Sequence, residues 1–225
     1  MEKRKLFVLG GSLAAVMLFA AACGGSDTSG SSASPATAAA ATADSKAAAL
    51  RSDLNRMLEE HVYLAAAATG AALDGRAEEF DAAAAALGAN SDDIINTFGS
   101  VYPDAKATFS DAWKGHIGFV VDYTTGLATG DQGKADQAVA DLQGYASSFG
   151  AFLAETVKTL PGADAVSSLV LHHVLTLKAV IDDQKAGDQA KAYADLKAAA
   201  AHMRMLGDPL ASAIVADNPQ AFVEA

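Results

Sequence analysis

The sequence predicts an all-α protein, a six-helix bundle made of three repeated αα-hairpins. Three observations carry that expectation. From Lys46 onward apolar residues recur at three- and four-residue spacing. Alanine, the strongest helix former, makes up much of the 51% apolar content. Third, a motif recurs three times at nearly constant distance. His61 opens HVYLAAAATGAALDG, His116 opens HIGFVVDYTTGLATG and His173 opens HVLTLKAVIDDQKAG. Each of these histidines precedes a glycine by the same interval: Gly75, Gly130 and Gly187. A glycine at such a point fits a left-handed helix C-cap between two antiparallel helices.

The breaks at Gly, Pro and Asp place helices at about 46–73, 76–98, 105–129, 132–159, 164–185 and 189–215. Residues 99–103 read as a loop, with Asp104 as the cap of the third helix, and Pro219 lies past the last helix. The returning helices share one apolar face. Ile94, Phe149 and Leu206 stand at one common offset from their repeat histidine. Phe98, Leu153 and Leu210 follow one helical turn later, and Tyr102, Val157 and Ile214 a turn after that.

Residues 1–45 read as an address and a tether. Glu2-Lys3-Arg4-Lys5 precedes an apolar run from Leu6 to Ala22, too short for a comfortable membrane span and typical of a signal peptide over residues 1–22. Ala20, Ala21 and Ala22 then lead to Cys23, the one cysteine of the chain, and resemble a bacterial lipobox. That resemblance implies cleavage before Cys23 and lipidation of Cys23, hence a membrane partner through the lipid and a location on the extracytoplasmic face. The stretch to Ser45 is rich in Gly, Ser, Thr and Ala and lacks aromatic residues, so 23–45 reads as a disordered tether of about 25 Å root-mean-square span. The domain proper is 46–225.

Charge excludes one class of partner. The chain carries 16 basic and 27 acidic residues, and the cleaved form would keep 13 against 26. Nucleic-acid binding requires basic surface, so no nucleic-acid partner is expected. A single cysteine excludes disulfide frameworks and Cys-rich metal sites. Catalytic signatures are absent as well: no Gly-x-Ser-x-Gly, no phosphate loop, no His-Glu-x-x-His and no Glu-x-x-His. The chain is therefore read as a non-enzyme.

Hairpin arithmetic predicts a polar layer. The repeat histidine precedes the turn glycine, and a partner follows it at almost the same distance along the returning helix: Asn90, Tyr145 and His202. Straight helices put both members at one height, about 21 Å from the turn. His61 should face Asn90, His116 should face Tyr145 and His173 should face His202. His172 should point about 100° away from His173. Met57 and Met205 share helix faces with His61 and His202. Two imidazoles and two thioethers would suit Cu(I), so the candidate metal ligands are His61, His116, His173, His202, Met57 and Met205, with copper first. Asn90 and Tyr145 are candidate small-ligand contacts. Trp113, Phe119, Tyr123, Phe149 and Phe152 read as core, and Asp122, Asp182 and Asp183 as a solvated face.

His61, the run Asn90-Ser91-Asp92-Asp93-Ile94, Tyr102 and the Trp113-x-x-His116-Ile117 step are similar to a group of secreted bacterial helical proteins. The match is best over 54–125 and implies a helical fold and export. The functional expectation is a membrane-anchored envelope lipoprotein whose bundle holds a metal ion or small ligand. The competing expectation is a structural or protein-interaction lipoprotein without a ligand.

Overall fold

The computed structural model describes residues 45–223. The expected signal peptide, Cys23 and nearly all of the tether lie outside these residues. Within them the chain forms α1 (Lys46–Leu73), α2 (Ala77–Val101), α3 (Lys106–Thr129), α4 (Gln132–Thr156), α5 (Ala163–Ala186) and α6 (Gln189–Asp217). Single 3-10 turns at Pro103–Ala105 and Pro219–Phe222 complete it. All six predicted helices are present, in three hairpins: α1–α2, α3–α4 and α5–α6.

Each hairpin turns on its repeat glycine. Gly75, Gly130 and Gly187 have φ of 69°, 76° and 75°, a left-handed conformation that side chains with a Cβ adopt only under strain. The amide after each glycine donates back into the last turn of the preceding helix: Arg76 to the Ala71 carbonyl, Asp131 to Gly126 and Asp188 to Asp183. In the second and third hairpins that same residue starts the return helix. The Asp131 carboxylate accepts from the Lys134 amide, and Asp188 accepts from Lys191. One Gly-Asp pair therefore ends one helix and begins the next.

α1 packs along both α2 and α6, and α4 packs along both α3 and α5, whereas α2 and α3 touch only lightly. The leading helices α1, α3 and α5 also meet one another across the middle of the bundle. One apolar core runs its length, from Leu54 and Phe98 through Val62 and Phe149 to Val180 and Ala199. Small residues allow close approach at two crossings. Gly126 lies where a Cβ would sit 2.7 Å from the Ala135 amide nitrogen, and Gly150 admits Ser167 of α5.

Two local expectations are corrected. Residues 99–101 are helical, and Gly99 leaves room there for the Lys106 side chain to fold over α2. Asp104 caps nothing: Pro103 starts a 3-10 turn that leads directly into α3, whose first turn has no side-chain cap. The acidic face also divides. Asp183 is 9% exposed and pairs with Lys191 at 2.9 Å, whereas Asp122 pairs with Lys134 in a more open setting.

The turn geometry makes opposite predictions for two glycines. Gly130→Ala should lower stability by about 1–2 kcal/mol, because alanine must adopt the left-handed conformation. Gly144→Ala, on the exposed face of α4 with open space around it, should raise stability by about 1 kcal/mol. Urea unfolding of the two variants measures both.

Candidate metal centre

The repeat brings three imidazoles together. His61 on α1, His116 on α3 and His173 on α5 are 2%, 3% and 6% exposed. One ring nitrogen from each lies within 4.8 Å of the other two. The ring centroids of His116 and His173 lie 5.5 and 5.9 Å from that of His61. The cause is the repeat itself: each leading helix faces the axis, and each histidine sits at the same distance from its turn.

The surroundings do little to satisfy these rings. Nδ1 of His61, His116 and His173 are all buried and make no hydrogen bond of good geometry with the protein, although the Trp113 backbone near His116 favours protonation of that ring slightly. Trp113 Nε1 and Asn90 Oδ1 are in the same condition. Most buried polar atoms in folded proteins are paired, and each unpaired one costs about 1–3 kcal/mol. The concentration of such atoms at one level is therefore a feature of the site. The pKa values follow from burial. All three imidazoles are pushed down to about 3, mainly by loss of solvent. Mutual repulsion adds to this: His116 acts on His61, His173 on His116, and His61 on His173. At neutral pH the cluster is three neutral imidazoles, each with a nitrogen lone pair, which is the protonation state a metal requires.

Of the predicted partners, Tyr145 behaves as the hairpin arithmetic requires. Its ring stacks on His116 at 4.8 Å with 13° between planes. Asn90 also lies at the layer, but its amide donates to the Met57 carbonyl at 3.0 Å and to Glu60 Oε2 at 3.3 Å. It therefore clamps α2 to the turn of α1 just before His61. Met57 is buried, with its sulfur 3.9 Å from the Thr97 hydroxyl.

His202 and Met205 depart from the expected ligand set. His202 Nε2 donates to the Leu169 carbonyl at 3.1 Å, and its ring lies 4.2 Å from that of His172. That bond turns the imidazole toward the backbone of α5, so it does not join the cluster. Met205 is 57% exposed, so its thioether faces solvent and not the buried layer. The predicted layer of four histidines contracts to three.

Trp113 belongs to the site, although its sequence pattern reads as core. Its ring lies 5.0 Å from that of His61 and 4.9 Å from that of His116. The available signal is the Trp113-x-x-His116 spacing, which places both side chains on one helix face. Behind it an aromatic ladder continues along the bundle: Trp113 on Phe109, Phe109 on Phe98, and Phe98 on Tyr102.

No protein-family model matches this chain, and neither the curated proteins nor the solved structures contain a match. The functional reading therefore rests on the geometry.

The lowered pKa values fix the direction of the pH dependence. In the unfolded chain these histidines titrate near 6.5, and in the folded protein near 3. Between those values the unfolded state binds more protons, so stability falls as pH falls through that window. At pH 5 each histidine should cost about 2 kcal/mol relative to pH 8. Replacing His173 with Gln should remove about one third of what these three histidines contribute to the slope, as read by urea unfolding of metal-free protein across pH 4.5–8.

Proposed function

We propose that this chain is an exported, membrane-anchored lipoprotein whose helical bundle binds a copper ion through His61, His116 and His173. The observation that carries the reading is the convergence of three buried neutral imidazoles whose Nδ1 atoms make no hydrogen bond of good geometry with the protein. A bound cation would accept a lone pair from each ring. Bundle cores are a common place for such centres.

Charge favours the cuprous ion. The convergent group consists of three neutral histidines and holds no carboxylate. The idealised cost of burying a unit charge is about 20 kcal/mol before ligation, and it grows with the square of the charge. A divalent ion in this pocket would need an added anion, whereas a monovalent one would not. Imidazole is an accepted ligand for copper, and among the metals that it suits the charge of the ion decides. The indole of Trp113 lies against two of the three rings, tilted to one and edge-on to the other, and adds a polarisable neighbour to the layer. Support for export and anchoring comes from the sequence alone: a basic and then apolar leader that ends in Ala20-Ala21-Ala22-Cys23.

The test is copper binding by full-length protein purified in detergent, titrated with Cu(I) against a chromophoric chelator. One ion per chain is expected. His61→Gln, His116→Gln and His173→Gln should each weaken binding by more than the roughly 10–100-fold typical of a lost outer partner. His202→Gln and Met205→Leu should leave it unchanged. Equal binding by the His116→Gln protein, or none by the wild type, would reduce the histidines to packing and leave an envelope scaffold.

A further inference from the structure

A cavity adjoins the histidine layer on one side. It holds about 70 Å³ in which the centre of a water-sized sphere can move. His116 and His173 line its inner end, and Phe149, Val166 and Val170 form its wall. Leu160, Pro161 and Leu210 line its outer end, where the α4–α5 connection meets α6. The inner and wall residues are buried, but Pro161 is exposed and Leu160 and Leu210 are half-buried, so the outer end reaches the surface. Along α6 the lining runs from Met203 to Ile214, about 16 Å of helix.

Two properties select the occupant. The lining is almost wholly aliphatic and aromatic, so water gains few hydrogen bonds there, and cavities of this kind stay dry and take up apolar guests. The volume is several times what one water-sized molecule needs, so it admits a guest of several heavy atoms. Pro209 lines the cavity as well, and it has no amide proton to donate to the Met205 carbonyl.

We infer that the cavity is a binding site for a small uncharged apolar molecule, from a diatomic gas up to a hydrocarbon of a few carbon atoms, held against the His116 and His173 side of the imidazole cluster. The guest needs no metal to enter. Only the identity of what it meets at the inner end, a cuprous ion, rests on the proposed function.

Xenon is the probe, added under pressure to metal-free full-length protein in detergent and followed by NMR. Saturable shifts are expected at the Val170 methyl groups and at the ring signals of His116 and His173. Val170→Phe fills the passage and should abolish them. Leu153→Ala widens it and should strengthen them, which decides the matter if the phenylalanine variant fails to fold. Absence of saturable shifts, shifts confined to Leu160 and Leu210, or binding unaltered by either substitution would overturn the inference. A protein that takes xenon but no copper would refute the copper reading alone, and one that takes copper but no xenon would refute this inference alone.

Discussion

Everything in this bundle is arranged around the burial of three imidazoles at one level. A neutral histidine in an apolar core still needs a partner for each ring nitrogen. Here three rings, each with a buried and unpaired Nδ1, bring one nitrogen apiece within 4.8 Å of the others, beside an equally unpaired indole nitrogen. Such a group is destabilising unless something occupies its centre, and low local polarity magnifies whatever interaction that occupant makes. The depressed pKa values express the same constraint. With these values the rings stay neutral at ordinary pH, so each keeps a nitrogen lone pair.

The two ends of the molecule serve this layer differently. At the turn end, left-handed glycines, joined by aspartate caps in the second and third hairpins, fix where each helix reverses, and so fix the height of the side chains that follow. Toward the other end the packing is aromatic and less complete. Stacked rings from Trp113 to Tyr102 line one side, while the space among Phe149, Val166 and Val170 remains open. There the backbone is tied by Asp217, which accepts from the Lys158 and Thr159 amides, and by Asn218, which donates to the Tyr102 hydroxyl. The fold is thus most tightly specified where it sets register, and looser where the cavity meets the surface.

Much of this is legible from residue spacing. The constant interval between each histidine and its glycine reports helix length, and equal helix lengths on a shared turn guarantee equal heights. That is enough to bring His61, His116 and His173 to one level, and to stack His116 on Tyr145. Height alone does not set azimuth. His202 stands at the predicted level but is rotated toward the Leu169 carbonyl, a contact that depends on how α6 crosses α5. Met205 shares a helix face with His202 by count, yet its side chain is turned to solvent. Trp113 is buried as its core spacing implies, but its contact with two histidines depends on the meeting of α1 and α3 in space. The cavity leaves no trace in the sequence, since an unfilled volume results from how side chains from several helices fit together.

The central claim is that these three imidazoles share a single ion. X-ray absorption at the copper edge of the reduced, loaded protein examines it most directly. The account predicts a low-coordinate cuprous spectrum with a nitrogen-only first shell and the outer-shell scattering of three imidazole rings. A sulfur scatterer, or a shell with one imidazole or none, would contradict it.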